Sequence, residues 1–178
     1  QLVMAGNDSQ GLRYGTVGTP ETHFTQWREE NPDYDPSDPT DRKYVSPTGC
    51  SQSDRRLDCA LAWLARPKRL LELIHDFIVF DAGIKKVCRH NQYFGVRAAQ
   101  ESVKGREGGI IWHTQGSGKS MIMVWLAKWI REHVHDGRVL IITDRTDLDE
   151  QIEKVFQGVN EEIYRTQSGS DLVNVLNR

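Results

Sequence analysis

The sequence lacks the features by which secreted, membrane-spanning and zinc-binding proteins are most easily recognised. Its three cysteines, Cys50, Cys59 and Cys88, show no CxxC pair and no metal-ligand spacing, which favours buried or inert thiols in a reducing cytoplasm. No apolar run approaches the roughly 20 residues of a membrane-spanning helix. The N-terminus has no basic segment followed by an apolar one, so neither a signal peptide nor a membrane partner is indicated. The net charge is −2, so any surface for nucleic acid must be local.

The amino-acid composition is that of an ordinary globular protein. Its 178 residues are 38% apolar and 27% charged, which suits about one domain. The chain begins in a strand-like stretch without an initiator methionine and ends inside a helical pattern at 172–178. We therefore expect it to be a piece of a longer protein.

The most informative segment is 108–120, GGIIWHTQGSGKS. Residues 110–112 predict a short buried strand, the glycine-rich stretch 114–118 predicts a turn, and Lys119 and Ser120 open a long helical pattern. This order is typical of a P-loop, in which converging backbone N–H groups and a helix N-terminus bind phosphate. Lys119 would reach the β- and γ-phosphates of a nucleoside triphosphate, and Ser120 would supply a hydroxyl ligand to Mg²⁺.

His113 departs from the full P-loop pattern, which has a glycine at this position relative to the lysine. The departure argues against a P-loop kinase or a small GTPase. It favours a motor ATPase, since helicase-type ATPases of superfamily 2 commonly keep only the shorter Thr-x-Gly-Ser-Gly-Lys form. The alternative is a chance glycine- and serine-rich loop before a helix.

Gln92 stands upstream of the glycine loop, in the first turn of a helix that we expect to begin there with Asn91 as its cap. A carboxamide can donate to and accept from the edge of adenine at the same time, which the edge of guanine would not match. Gln92 is therefore a candidate adenine contact. The alternative is a surface glutamine in the first turn of a helix.

A second buried strand is predicted at 138–143, parallel to the first because the intervening helix provides the crossover connection. Arg145 follows its carboxyl end, where ligand-contacting loops of α/β sheets lie. It could meet a phosphate, or it could pair with Asp147 or Asp149. Thr146 is expected to cap the next helix, and a last strand and helix are predicted at 163–165 and 170–176.

Upstream of these elements the pattern changes twice. Residues 1–4 and 12–17 predict a β-hairpin, with Phe24 and Trp27 as anchors onto it. The stretch 28–52 is rich in proline and aspartate and predicts an exposed linker rather than a metal site. Two helices follow, one capped by Ser53 and one beginning near Pro67.

These motifs resemble the motor subunit of type I restriction enzymes. Residues 112–120, WHTQGSGKS, are similar to motif I of that family, and 143–151, TDRTDLDEQ, are similar to its motif Ia. The segments 70–80 and 90–94 resemble its bridge and glutamine motif, and residues 2–4 and 13–16 resemble the end of its nuclease domain. The likeness covers most of the chain outside the linker.

The resemblance implies an α/β fold, with a partial RecA-like P-loop parallel sheet and flanking helices. A β-hairpin remnant of an endonuclease-like domain would precede it at 1–27, then the linker at 28–52, a helical bridge at 53–88 and the first part of the ATPase lobe at 89–178. It implies a cytoplasmic subunit that hydrolyses ATP with Mg²⁺, translocates along double-stranded DNA and cleaves it together with modification and specificity subunits. The implied contacts are listed by ligand: adenine at Gln92; phosphates at Thr114, Gly116, Ser117, Gly118 and Lys119; Mg²⁺ at Ser120; DNA at Arg145.

The family's nuclease residues would lie before residue 1, and its acidic magnesium-binding box and second ATPase lobe would lie after residue 178. We therefore expect the chain alone to bind ATP weakly and to hydrolyse it poorly. Two other functions stay open: a superfamily 2 helicase or translocase outside restriction, and a non-catalytic interaction module with a vestigial P-loop. Intact Lys119 and Ser120 argue against the module.

Overall fold

The computed structural model describes residues 1–27 and 56–177. Its N-terminal part is a three-stranded antiparallel sheet of β1 (Leu2–Asn7), β2 (Gly11–Thr16) and β3 (Thr25–Gln26), in that order. The β1–β2 register pairs Leu2 with Thr16 and Asn7 with Gly11, so the predicted hairpin is confirmed. The third strand was not predicted. The predicted linker and the Ser53 cap lie outside the described residues.

Two helices and a hairpin come next. Helix α1 (Arg56–Leu64) and helix α2 (Pro67–His75) match the predicted pair, with the proline in the first turn of α2. A second hairpin of β4 (Ile78–Asp81) and β5 (Ile84–Val87) then stands where the sequence indicated only helical bridge. Its turn residues Ala82 and Gly83 have φ of +49° and +80°, as a tight two-residue hairpin turn requires.

Four further helices complete the described chain. They are α3 (His90–Lys104), α4 (Lys119–His133), α5 (Thr146–Gly158) and α6 (Gly169–Leu176). Helix α3 begins two residues before Gln92, and its N-cap is Arg89 rather than Asn91. Helix α5 begins with Thr146 itself, and Arg145 is its N-cap. Each predicted helix is present, and the predictions differ from the structure in the residues at which α3 and α5 begin.

One aromatic cluster joins the N-terminal sheet to α2, α3 and α4. The Trp27 ring lies 5.4 Å from that of Tyr93, and the Phe77 ring lies 5.9 Å from that of Trp125. The buried guanidinium of Arg69 sits 5.3 Å from the centre of the Trp27 ring. Burial of aromatic rings with a stacked guanidinium stabilises this region, so Trp27 is confirmed as an anchor. A smaller core of Val124, Ala127, Ile152 and Phe156 joins α4 to α5.

Two hydrogen bonds, one buried and one partly buried, tie the N-terminal sheet to β5 and to the residue that follows it. The hydroxyl of Tyr14 donates to the carbonyl of Cys88 at 2.8 Å, and the hydroxyl of Thr16 donates to the carbonyl of Lys85 at 2.8 Å. Burial raises the pKa of Tyr14 because the charged phenolate is poorly solvated there. The sheet and the second hairpin therefore form one packed unit.

The parallel sheet predicted from the sequence is not found in the described residues. Both sheets in the described residues are antiparallel, and the segments 110–112, 138–143 and 163–165 are not part of any strand. Ile110 and Trp112 are each 90% exposed, and Ile142 is 83% exposed. The apolar pattern marks a surface suited to burial, but a strand forms only where a neighbouring strand supplies hydrogen bonds. No described segment does so here.

The cysteines also differ in part from expectation. Cys88 is a buried free thiol, and burial raises its pKa well above the usual range. Cys59, however, is disulfide-bonded. Spacing without a known fold cannot exclude such a bridge, because disulfide formation depends on distance in space.

Candidate functional site

The glycine loop between residue 113 and α4 has the backbone conformation that its sequence indicates. Gly116 has φ of +76° and Gly118 has φ of +81°, in the left-handed region that side chains other than glycine avoid. Gly118 is the N-cap of α4, and a Cβ atom there would lie 2.5 Å from Nε2 of Gln92. Glycine at 118 is therefore required both by its conformation and by the close approach of a neighbour.

Lys119, the first residue of α4, folds back over this loop. Its Nζ donates hydrogen bonds to the carbonyl of Thr114 at 2.9 Å and to that of His113 at 3.2 Å. The Lys119 side chain is exposed, as are Thr114, Gly116 and Gly118. An ammonium held by two carbonyls in water can exchange them for phosphate oxygens, which are stronger acceptors.

Two serines flank the loop glycines in different environments. Ser117 is 9% exposed, and its hydroxyl has no hydrogen-bond partner. Ser120 is the second residue of α4 and is half-buried. An orphaned buried hydroxyl is uncommon in folded proteins, so Ser117 marks a position where a polar ligand group fits. At the start of α4 the backbone N–H groups also lack helical partners.

Gln92 contacts the loop directly. Its Nε2 donates to the carbonyls of Ser117 at 2.9 Å and Gly118 at 3.2 Å, and its Oε1 accepts from the backbone N–H of Arg89 at 2.8 Å. The residue is buried, so it is not the surface glutamine of the alternative interpretation. Both hydrogens of the amide are used on the loop, so donation to a base would require one of these bonds to be exchanged, whereas Oε1 has a second lone pair with which it can accept.

His113 provides a second link between α3 and the loop, which the sequence did not indicate. Its Nδ1 is hydrogen-bonded to the side-chain amide nitrogen of Asn91 at 3.2 Å. A Cβ atom on Gly95 would lie 3.0 Å from Nε2 of the same ring. Glycine in the interior of a helix is the signal that could have revealed this close approach.

A cavity of about 320 Å³ adjoins the glycine loop. Its walls come from β2, the 19–25 segment, β5, the start of α3, the loop residues 116–118, and Met121 and Trp125 of α4. Among the residues that the structure describes, the lining includes Lys85, Lys86 and Arg89 and no aspartate or glutamate. Most of the lining surface is apolar.

Arg145 does not line this cavity. It forms a bidentate ion pair with Asp147, with Nη2 to Oδ2 at 2.6 Å and Nε to Oδ1 at 3.2 Å, and both side chains are 67% exposed. This is the pairing that the sequence left open as an alternative. Exposed pairs of this kind contribute little to stability, about 0–1 kcal/mol.

Neither a built-in metal site nor a membrane span is found in the described part of the chain. Within residues 1–27 and 56–177 there is no group of three or more His, Cys, Asp or Glu side chains that could hold a metal ion. His133 instead stacks on Trp129, with ring centres 5.1 Å apart. The helices of the same residues are too short or too polar to cross a bilayer.

Comparison with known proteins gives two consistent findings. The family described as SWI2/SNF2 ATPase matches residues 91–178, the part that contains the glycine loop. The type I restriction enzyme HindI endonuclease subunit of Haemophilus influenzae is 31% identical over 94% of this chain, and the chain covers 15% of that protein. The type I restriction enzyme SauCOLORF180P endonuclease subunit of Staphylococcus aureus is 28% identical over 63% of this chain and is covered over 12% of its length.

The resemblance indicated by the sequence motifs is therefore confirmed, and the chain spans a small part of the length of these relatives. No solved structure matches.

Proposed function

With its similarity to the endonuclease subunits of type I restriction enzymes as the premise, we propose that this chain forms the ATP-binding segment of such a subunit. In the whole protein, ATP hydrolysis would drive movement along double-stranded DNA, and a separate nuclease site would cut it. Modification and specificity subunits would complete the complex in the cytoplasm. Residues 89–178 would belong to a RecA-like lobe, 53–88 to a bridge, 28–52 to a linker and 1–27 to the end of an endonuclease-like domain.

The observation that carries the proposal is the glycine loop at the start of α4. Left-handed Gly116 and Gly118, with φ of +76° and +81°, let the backbone curve around a phosphate. The N-terminus of α4 adds about half a positive charge, and Lys119 can exchange its two carbonyl partners for phosphate oxygens. The orphaned hydroxyl of Ser117 gives a further polar group at the same place.

Each predicted ligand contact has a defined place in the proposal. Gly116, Ser117, Gly118 and Lys119 would hold the phosphates, with Thr114 at the entry to the loop, and Ser120 would be a ligand of Mg²⁺. When bound, Mg²⁺ would offset the negative charge of the phosphates. Gln92 would donate to adenine only after releasing a loop carbonyl, and Arg145 would contact DNA only after exchanging Asp147 for a phosphate.

A second candidate is a superfamily 2 DNA translocase outside restriction. The match of residues 91–178 to the SWI2/SNF2 ATPase family favours it, whereas the similarity to restriction subunits extends over 94% of the chain. The wider similarity makes the restriction subunit the better proposal. A non-catalytic module is less favoured, because Lys119 and the loop glycines are all in place.

The test is binding of a non-hydrolysable ATP analogue with Mg²⁺ by calorimetry, comparing the 178-residue chain with Lys119→Ala. Loss of one charge-assisted contact should weaken binding about 10- to 100-fold. Lys154→Ala, an exposed lysine of α5, is the matched control and should bind as the wild type does. Equal binding by Lys119→Ala and wild type would rule out the glycine loop as the phosphate site.

A further inference from the structure

We propose that the nucleoside of a nucleotide bound at the glycine loop occupies the adjoining cavity, and that the N-terminal sheet forms the wall opposite the loop. This inference rests on the proposed function, because the phosphates must first lie at residues 116–118. It assigns a nucleotide contact to the 19–25 segment, in which the sequence motifs indicate no ligand site. The relevant wall residues are Thr19 and His23.

The size and charge of the cavity fit this ligand class. Its volume of about 320 Å³ lies at the lower end of the range for small-molecule sites, roughly 300–1,000 Å³. Lys85, Lys86 and Arg89 belong to its lining, and no carboxylate of the described residues does. Lys86 is offset by its ion pair with Asp81 at 2.5 Å, which leaves Lys85 and Arg89. The described lining therefore favours an anion over a cation.

Two residues of the lining carry buried polar atoms without a hydrogen-bond partner. They are Ser117, through its hydroxyl, and Trp125, through Nε1, which are 9% and 3% exposed. The indole N–H can only donate, so an acceptor atom of a ligand could satisfy it after a small opening of the lining. Met121 and Trp125 also give the cavity apolar surface. An anion that carries a flat ring with acceptor atoms meets all of these conditions, and a nucleotide is such an anion.

The state of Gln92 points to the same assignment. Both hydrogens of its amide are donated to the carbonyls of Ser117 and Gly118, and Oε1 accepts from the backbone N–H of Arg89. While these bonds persist, Gln92 can offer a base only the second lone pair of Oε1, so the base needs further partners. The cavity walls can supply them, since both Trp125 and the exposed His23 belong to the lining. The nucleoside would then touch both the glycine-loop segment and the N-terminal sheet.

The wall formed by the N-terminal sheet is fixed rather than loosely placed. Thr19 Oγ1 accepts a hydrogen bond from the backbone N–H of Thr16 at 3.0 Å, and the hydroxyl of Thr16 donates to the carbonyl of Lys85 at 2.8 Å. Since Lys85 also lines the cavity, hydrogen bonds link the wall formed by the N-terminal sheet to the wall formed by β5. A ligand in the cavity would add a further connection between these two walls.

Photolabelling gives the first test. The 178-residue chain is irradiated with 8-azidoadenosine diphosphate, digested with trypsin and analysed by mass spectrometry. Trypsin releases the wall as peptide 14–28 and the start of α3 as peptide 90–97. We expect label in peptide 14–28 that excess ADP prevents. Label confined to other peptides, or label in 14–28 that ADP does not prevent, would overturn the inference.

Binding measurements separate this inference from the proposed function. His23→Ala should weaken ADP about fivefold and change the affinity for inorganic tripolyphosphate less than about twofold. The matched control is His135→Ala, whose side chain is 97% exposed and does not line the cavity. Equal changes for both ligands, or no change for ADP, would overturn the nucleoside assignment alone.

Lys119→Ala reports on the phosphate site independently. It should weaken ADP and tripolyphosphate together, because both carry phosphates. If Lys119→Ala binds both ligands as the wild type does, the proposed function fails. If the wild-type chain binds tripolyphosphate as tightly as ADP, the phosphate site stands and the nucleoside assignment fails. Circular dichroism of each variant verifies that the fold is retained.

Discussion

At the scale of single residues, the loop glycines show where backbone geometry limits the sequence. Gly118 combines a φ of +81° with a Cβ position 2.5 Å from a side-chain nitrogen. Gly105, at the end of α3, has a φ of −74° and only ordinary contacts, the nearest at 3.5 Å. The two positions carry the same residue type for different reasons, and only the first requires it.

We predict that Gly118→Ala lowers the free energy of unfolding by about 1–3 kcal/mol, because the new methyl group meets Gln92 and φ is unfavourable. The measurement is urea unfolding followed by circular dichroism. Gly105→Ala is the matched control and should change stability by less than about 1 kcal/mol, in the stabilising direction. Equal effects at the two positions would show that the left-handed loop is not the conformation in solution.

At the scale of elements, α3 and the glycine loop act as a pair joined by Gln92. The sequence suggested Gln92 as a candidate adenine contact from its position and chemistry. It could not show that the amide is already bonded to Ser117 and Gly118, because that depends on how α3 packs beside α4. The α3 cap was misplaced for a similar reason: Arg89, which is not a usual cap residue, is stabilised by Gln92.

We predict that Gln92→Glu weakens binding of the ATP analogue and lowers stability by about 1–3 kcal/mol. The ionised carboxylate cannot donate, so it would face two carbonyl oxygens without a hydrogen bond. Calorimetry and urea unfolding measure the two effects. Gln151→Glu, an exposed position on α5, controls for the added charge and should be close to neutral. An unchanged Gln92→Glu variant would contradict the coupling.

At the scale of the whole molecule, local periodicity predicted the helices well and the sheet poorly. The long helical pattern that Lys119 opens is helix α4, in which Ile122, Val124 and Trp125 are buried. A helix bonds within itself, whereas a strand depends on a distant partner, so patterns in one segment cannot specify its pairing. The prediction of a hairpin within residues 1–17 was correct because its two strands are adjacent in the chain. The cavity could not be predicted, because segments that are far apart in the chain form it.

Two isoleucines, one exposed and one buried, test whether the segment 138–143 is exposed in solution. Ile142 is 83% exposed and Ile122 is 3% exposed. We predict that Ile142→Ser changes the free energy of unfolding by less than about 0.5 kcal/mol, whereas Ile122→Ser lowers it by about 2–5 kcal/mol. Urea unfolding of both variants is the measurement. A large loss for Ile142→Ser would mean that segment 138–143 is buried in solution, as its sequence alone suggested.

The hydrogen bonds that join the N-terminal sheet to the rest of the chain place unequal demands on their two sides. Tyr14 and Thr16 contribute side-chain hydroxyls, whereas Lys85 and Cys88 contribute only main-chain carbonyls. Every residue type has a main-chain carbonyl. As the sequence diverges in evolution, the residue types at positions 85 and 88 can change without loss of these hydrogen bonds. Loss of either hydroxyl, at Tyr14 or at Thr16, removes one bond. The side-chain requirement of this joint therefore falls on the N-terminal sheet alone.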